Sequence, residues 1–158
     1  MKPAVAVIGA SNPGGAELEL ARRVGELLAR EGLAVVCGGL GGVMAAACEG
    51  AKAAGGLTVG ILPGRAKLDA NPYVDIAVPT GLNEARNALV ALAGDAVIAV
   101  GGGLGTLSEI ALALRAGKTV AALESWELAE RRMEGAPYLR VATPEEAVAA
   151  AVAAIARG

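Results

Sequence analysis

Three glycine-rich segments are the parts of this sequence that could do chemistry most directly. They run over 9–15, 37–44 and 101–106, and each follows a short apolar run. Glycine lets the backbone approach a ligand closely, and a helix that begins just after such a loop directs free N–H groups and its positive end at the same place. The segments therefore predict a site for a phosphate group, unless each is only a tight turn between a strand and a helix.

The three loops do not match the common nucleotide-binding fingerprints. GxGxxG fails at its last position in the second and third loops, where Met44 and Thr106 stand. The first loop has Gly15 and Ala16 where a P-loop needs lysine followed by serine or threonine. We therefore exclude P-loop ATPase chemistry.

Arg86 is the cation best placed to meet a bound anion. Asn83 can cap a helix that begins at Glu84, which puts Arg86 in the first turn, where the helix dipole disfavours a positive charge. A bound anion would remove that conflict. The spacing to Leu89 and Val90 also directs Arg86 toward the sheet, although a solvated surface arginine is the alternative.

Glu109 is the candidate functional carboxylate. Thr106 and Glu109 have the spacing of a capping box, in which each side chain bonds a free amide at the start of the helix. The same pair follows a triple glycine, so the carboxylate and a phosphate-accepting helix end would adjoin one ligand. Glu109 is thus a helix cap, a functional carboxylate, or both.

Composition excludes several classes of function. The chain has no histidine, which rules out Ser-His-Asp and Cys-His catalysis and His-containing zinc sites. Aromatic residues make up 2% of the chain and 14 basic residues stand against 16 acidic ones, so we expect no nucleic-acid partner. Cys37 and Cys48 are too far apart for a CxxC pair, and we expect both to be buried, without a metal, in a reducing cytoplasm.

The sequence predicts one domain over residues 1–158. Apolar residues make up 54% of it, enough for a single core. The first apolar run is only as long as a strand, and no run approaches the ~20 residues that cross a bilayer. We therefore expect a cytoplasmic protein with no membrane partner.

Short runs rich in Val and Ile alternate with amphipathic stretches, which is typical of buried parallel strands alternating with helices. Predicted strands are 4–8, 33–37, 57–62, 75–78, 96–100, 119–123 and 139–141, and predicted helices are 15–30, 43–54, 84–93, 106–115 and 144–156, with one or two helical turns in 126–134. The predicted fold class is α/β, a single doubly wound, mostly parallel Rossmann-like sheet with helices on both faces. Ligands of such sheets bind at the carboxyl edge of the strands, where all three glycine loops belong.

The sequence resembles the Lonely Guy and molybdenum-cofactor carrier-like superfamily, once labelled lysine decarboxylase-like. The resemblance spans most of the chain and rests on Gly38-Gly39-Leu40-Gly41-Gly42-Val43-Met44, Ala85-Arg86-Asn87 and Gly102-Gly103-Leu104-Gly105-Thr106-Leu107-Ser108-Glu109. The Lonely Guy pattern has a proline and a lysine where this chain has Gly101 and Asn87. The chain is therefore more similar to the carrier-like branch.

The resemblance implies a ligand-binding cleft for a nucleotide or a molybdopterin-type ligand, with no required cofactor and no metal. Thr106 and the backbone of Gly103 and Gly105 would hold the phosphate. Glu109 would orient water or stabilise the sugar cation, and Arg86 would orient the ligand and offset its charge. Ser11 and Asn12, at the end of the first strand, are either contacts to the base or pterin or only turn and capping residues. The other predicted ligand contacts are Gly38, Gly39, Gly41, Met44, Asn87 and Gly102.

Three functions stay open from the sequence, and with them whether the chain is an enzyme. In the first, it binds a nucleotide-like phosphorylated ligand and hydrolyses the N-glycosidic bond of a nucleoside 5′-monophosphate. In the second, it is a non-catalytic carrier or sensor of molybdenum cofactor or a related phosphate ester, and in the third it is only an assembly module that binds no phosphate ester. The resemblance also implies a homodimer or a higher homo-oligomer.

Overall fold

The structure, a computed structural model, describes residues 1–157. No helix in these residues is long and apolar enough to cross a membrane. The strands are β1 (Ala4–Gly9), β2 (Ala34–Cys37), β3 (Thr58–Leu62), β4 (Ile76–Pro79), β5 (Ala96–Val100), β6 (Val120–Leu123) and β7 (Tyr138–Val141). The α-helices are α1 (Gly15–Arg30), α2 (Val43–Ala53), α3 (Asn87–Ala93), α4 (Leu104–Arg115) and α5 (Pro144–Ile155), and short 3-10 helices span Lys67–Asp69, Asn83–Arg86 and Glu130–Arg132.

All seven strands form one sheet in the order β4-β3-β2-β1-β5-β6-β7, and every pairing is parallel. The chain moves outward from β1 to β4 and then returns to place β5 on the other side of β1. This reversal makes the carboxyl ends of β1 and β5 the topological switch point, where open α/β sheets bind ligands. The predicted fold class is confirmed.

Both faces of the sheet are covered over its central strands β2, β1, β5 and β6, which is why these strands are apolar throughout, whereas the edge strands β4 and β7 are partly exposed. In β1, Val5 and Val7 face a core shared with α1, α2 and α5, whereas Ala6 and Ile8 face a smaller core shared with α3 and α4. Cys37 and Cys48 lie in the larger core with their Sγ atoms 3.5 Å apart. Their predicted burial is confirmed.

Helices α1 and α2 cross with their backbones in direct contact. A Cβ atom on Gly25 would overlap the carbonyl oxygen of Ala47, and one on Gly50 would overlap the carbonyl oxygen of Arg22. At the edge of this contact, Arg22 Nε donates to Glu49 Oε2 over 2.9 Å. The two glycines therefore let the helices approach more closely than any other residue would allow.

Two predicted elements begin or end elsewhere. The helix predicted over 106–115 begins two residues earlier, at Leu104, with Gly103 rather than Thr106 as its N-cap. The helical turns predicted in 126–134 are reduced to the 3-10 helix Glu130–Arg132. Local patterns fix such boundaries least well.

Candidate functional site

A cavity of about 600 Å³ opens at the carboxyl edge of the sheet. The loops after β1, β2 and β5 line it, together with the segment that leads into α3. It therefore lies above the switch point between β1 and β5, and its volume is within the range of small-molecule sites.

The cavity brings together most of the predicted site residues. Gly39, Gly41 and Gly102 do not line it. Gly39 and Gly102 have φ angles of +78° and +105°, so their role is to let the loop backbone adopt a conformation that favours glycine. The predicted residues that do line it are Ser11, Gly38, Met44, Arg86, Asn87, Gly103, Gly105, Thr106 and Glu109.

The N-terminus of α4 presents free backbone donors to this cavity. Gly103 is the N-cap, and the first amide with a helical acceptor is that of Leu107, which donates to the Gly103 carbonyl over 3.0 Å. The N–H groups of Leu104, Gly105 and Thr106 precede it and have no acceptor in the helix. A Cβ atom on Gly103 or Gly105 would meet no described atom within 4 Å. The loop thus leaves room for an anion in front of the helix.

Glu109 does not cap α4. Because the helix begins at Leu104, Thr106 is its third residue and Glu109 lies a full turn further on, too far from the Gly103 amide for a capping box. No hydrogen bond caps this helix through a side chain. The interpretation of Glu109 as a helix cap is therefore wrong, and the residue lines the cavity instead.

Arg86 is buried beside the glycine loop after β2. Its Nη2 donates to the Gly38 carbonyl over 3.5 Å, its Nη1 donates to Asn87 Oδ1, and its buried Nε has no partner among the described residues. A Cβ atom on Gly38 would lie only 2.6 Å from Arg86 Nη2, so glycine makes room for the guanidinium. The surface-arginine alternative is wrong.

The predicted cap at Asn83 is also wrong. Its φ angle is +51°, whereas an N-cap residue adopts an extended conformation. Asn83 instead begins the 3-10 helix Asn83–Arg86, which turns Arg86 inward before α3 starts at Asn87. Tertiary contacts therefore override the local helix signal at this position.

Glu109 and Arg86 face each other at the floor of the cavity. Arg86 Nη1 lies 3.9 Å from Glu109 Oε1, which is too long for a hydrogen bond, and each side chain is 10% exposed. Burial raises the pKa of the Glu109 carboxyl to about 7, although the charge of Arg86 opposes the shift. At neutral pH this carboxyl group can therefore hold or release a proton.

A chain of hydrogen bonds joins Arg86 to α4. Arg86 donates to Asn87, Asn87 Nδ2 donates to Ser108 Oγ over 3.2 Å, and Ser108 Oγ donates to the Gly105 carbonyl over 2.7 Å. Asn87 thus orients the guanidinium where the Lonely Guy pattern has lysine. Ser108 was not among the predicted site residues, although its position between Thr106 and Glu109 could have indicated it.

Several other residues at the site were missed. Trp126 Nε1 donates to the Gly103 carbonyl over 3.1 Å, so the segment after β6 reaches the N-cap of α4. The carboxyl end of β3 could have indicated Pro63, because ligands bind at that edge. Asn12, which was predicted with Ser11, also lines the cavity, and the further lining residues that were not predicted as ligand contacts are Leu40, Pro63, Asn83 and Glu84.

The site is equipped for an anion rather than for a metal. Among residues 1–157, no three or more His, Cys, Asp or Glu side chains come close enough together to hold a metal ion. The groups that converge on the cavity are instead backbone N–H donors and one guanidinium, and these are the usual partners of phosphate.

Comparison with known proteins agrees with this geometry. The model of the SLOG cluster4 family matches residues 2–148. An uncharacterized protein of Archaeoglobus fulgidus is 46% identical over 144 residues, which covers 91% of each chain.

Two solved structures are similar over nearly the whole chain. The molybdenum cofactor binding protein of the phototrophic bacterium Rippkaea orientalis is 38% identical, covers 98% of both chains and has a TM-score of 0.91. The molybdenum cofactor carrier protein of Chlamydomonas reinhardtii is 36% identical, covers 99% of both chains and also has a TM-score of 0.91. These matches confirm the predicted resemblance to the carrier-like branch, and this chain belongs to the SLOG cluster4 family.

Proposed function

We propose that the chain binds molybdenum cofactor, or a closely related phosphate ester, and carries it without chemical change. The observation that carries the proposal is the convergence on one cavity of the free N–H groups of α4 and the buried Arg86, whose Nε has no partner. The similarity to molybdenum cofactor binding and carrier proteins supports this choice of ligand.

The phosphate of the ligand would sit in front of α4. It accepts hydrogen bonds from the backbone of Gly105 and Thr106 and from the Thr106 hydroxyl, where the positive helix end stabilises its charge. Arg86 lines the same cavity and adds a full positive charge beside these donors. Because Thr106 and Arg86 are buried, their interactions with the phosphate are stronger than they would be in bulk water.

The second candidate function, hydrolysis of a nucleoside 5′-monophosphate, rests on Glu109. A carboxylate beside the sugar can stabilise the positive charge that develops as an N-glycosidic bond breaks. A carboxyl group with a pKa of about 7 is about half ionised at neutral pH, and such a pKa also suits general acid–base catalysis. The similarity to molybdenum cofactor binding and carrier proteins is what favours binding over hydrolysis.

Calorimetric titration tests the binding step. Inorganic phosphate, ribose 5-phosphate and nucleoside 5′-monophosphates are titrated into the wild type and into Arg86→Met. We expect Arg86→Met to weaken binding of each ester by at least about tenfold, since a charge-assisted hydrogen bond is lost. Arg115→Met is the matched control, because Arg115 is exposed at the end of α4, and it should bind like the wild type.

Two further measurements separate the carrier from the hydrolase. Co-production with molybdenum cofactor should yield purified protein that contains molybdenum by elemental analysis, and Arg86→Met should not. Free base released from a nucleoside 5′-monophosphate by the wild type and lost in Glu109→Ala would overturn the carrier in favour of the hydrolase. If neither loading nor release nor ester binding is found, both functions are wrong.

We also propose that a second copy of the chain covers the outer face of α3 and α4. Leu89, Leu92 and Leu112 are 40%, 52% and 37% exposed there, although they are large apolar side chains. Light scattering should give the mass of a dimer or a higher homo-oligomer. Leu92→Glu should shift that mass toward one chain, and a monomeric wild type would contradict the proposal.

A further inference from the structure

The cavity extends well beyond the groups that would hold a phosphate. Pro63 follows β3, which lies three strands from β5 in the sheet, and β5 is followed by Gly103 and by Thr106 in the first turn of α4. Neighbouring strands are about 4.8 Å apart, so the two ends of the cavity are separated by roughly 14 Å. A ligand with its phosphate at α4 therefore places its other end near Pro63.

Two polar side chains and two apolar ones form this far end. Asn83 and Glu84 line the cavity there with Leu40 and Pro63, and the backbone N–H of Asn83 donates to the Pro63 carbonyl over 3.0 Å. Both polar residues are exposed. Within residues 1–157, neither of their side chains makes a hydrogen bond or an ion pair, so both are available to a ligand.

The backbone holds Asn83 in an uncommon conformation. Its φ of +51° lies in the left-handed region, which asparagine tolerates better than most residues. The preceding turn is fixed, because the Leu82 N–H donates to Thr80 Oγ1 over 3.2 Å and Thr80 Oγ1 donates to the Leu62 carbonyl over 2.7 Å. Backbone strain of this kind is concentrated at ligand sites, so the position of Asn83 agrees with a binding role.

The chemistry of the far end selects for hydrogen-bond donors on the ligand. An ionised carboxylate accepts hydrogen bonds and donates none, and the Asn83 side chain adds an amide oxygen. Among the described residues that line the cavity, Arg86 is the one basic side chain, and it faces Glu109 rather than this end. The apolar surface of Leu40 and Pro63 suits the face of a flat ring.

From these contacts we infer that Asn83 and Glu84 select the heterocycle of the ligand by accepting hydrogen bonds from the N–H donors of a 2-amino-4-oxopyrimidine ring. Guanine nucleotides and pterins share this ring. The inference rests on the proposed function, since the phosphate at α4 sets which end of the ligand reaches Glu84.

Guanosine and inosine 5′-monophosphate provide the direct test, because they differ only in the 2-amino group. In calorimetric titrations the wild type should bind the guanosine ester about tenfold more tightly, the effect of one hydrogen bond to a charged group. Glu84→Gln and Asn83→Gly should each reduce this preference to about twofold or less and leave the affinity for ribose 5-phosphate unchanged. Glycine is chosen because it accepts a positive φ without strain.

Glu31→Gln is the matched control, since Glu31 is an exposed carboxylate at the end of α1 and does not line the cavity. It should keep the wild-type preference. A pterin phosphate, neopterin monophosphate, distinguishes the two sources of the ring: tighter binding of this ester assigns a pterin, and tighter binding of the guanosine ester assigns a nucleotide. Glu84→Gln should weaken binding in either case.

The outcomes separate this inference from the proposed function. If the wild type binds the guanosine and inosine esters equally and Glu84→Gln leaves binding of the pterin ester unchanged, the selection of the heterocycle is overturned while phosphate binding stands. If ribose 5-phosphate and every ester fail to bind, the proposed function is overturned as well.

Discussion

Glycine occupies two regions of this protein under opposite physical conditions. At the crossing of α1 and α2, Gly25 and Gly50 stand where the backbone of the neighbouring helix already fills the space of a side chain. At the start of α4, Gly103 and Gly105 stand where a Cβ atom would meet nothing within 4 Å. The first pair serves stability and the second pair leaves room for a ligand.

The surroundings of these two pairs show how a role can be assigned to a glycine. The two pairs cannot be distinguished from the sequence, because the residues next to a glycine do not indicate which atoms surround it in the fold. The volume next to the missing side chain decides the matter: a filled volume indicates close packing and an open one beside free donors indicates a site. Substitutions that add a methyl group at each place test this assignment.

Gly25→Ala should have the largest effect on stability. The added methyl group would overlap the carbonyl oxygen of Ala47, and neither backbone can move without separating α1 from α2. We expect a loss of roughly 3 kcal/mol or more in the free energy of unfolding, measured by urea titration. Gly15→Ala is the matched control at the exposed start of the same helix and should change this free energy by less than about 1 kcal/mol. Equal values for the two variants would contradict the close-packing assignment.

Gly101→Pro should be almost as damaging. Gly101 has a φ of +56° and its N–H donates to the Leu123 carbonyl over 3.0 Å, whereas proline fixes φ near −65° and has no N–H. We expect a loss of about 3 kcal/mol in the free energy of unfolding, again by urea titration. The proline of the Lonely Guy pattern therefore does not fit the loop as it is built here, and a stable variant would show that the loop can adopt a second conformation.

Glu109 should make stability fall as pH rises. Its pKa is about 7 in the folded protein and near 4.5 when exposed, so between these values the unfolded chain ionises while the native state still holds the proton. The free energy of unfolding should therefore fall by roughly 3 kcal/mol between pH 4.5 and pH 7 because of this group. Urea titrations of Glu109→Gln should lack this component, so that the variant is the more stable protein at pH 8. Parallel pH curves for the two proteins would show that Glu109 is not buried in this way.

Gly105→Ala should have the smallest effect on stability and a clear effect on binding. Alanine favours a helix over glycine by up to about 1 kcal/mol, and the added methyl group meets no described atom within 4 Å. We expect the thermal midpoint to stay the same or rise, while the affinity for phosphate esters in calorimetry falls at least about tenfold. Undiminished affinity would mean that the open volume beside Gly105 is not where the ligand binds.

The sequence predicted most of the fold because the strands are buried on both faces. Runs such as Ala96–Val100 are apolar at every position, which only a covered parallel sheet explains, and the glycines after them mark the carboxyl edge. The starts of α3 and α4 were less predictable. They depend on tertiary contacts of Arg86 and on the spatial position of Gly103, which local capping rules do not include.

For the candidate site, the predicted positions of strands and helices were enough to bring Arg86 and Glu109 to the same edge of the sheet. They did not predict the distance between the two side chains, their burial or the pKa of Glu109. The 3.9 Å separation, the raised pKa of Glu109 and the unpartnered Nε of Arg86 all depend on burial by other elements. Their local pattern predicted Asn83 as the cap of a helix and Glu84 as its first residue. The left-handed backbone at Asn83, which takes both residues to the far end of the cavity, has no counterpart in that pattern.

The contact between Trp126 and the N-cap of α4 gives the protein an optical property. Trp126 is the single tryptophan of the chain, and its indole N–H is bonded to the carbonyl of the same glycine whose loop would receive a phosphate. An anion bound there, as proposed, would change the electric field at the indole ring, and we expect the emission spectrum of the ring to change with it. Trp126 would then report occupancy of the proposed site by fluorescence, with no label attached.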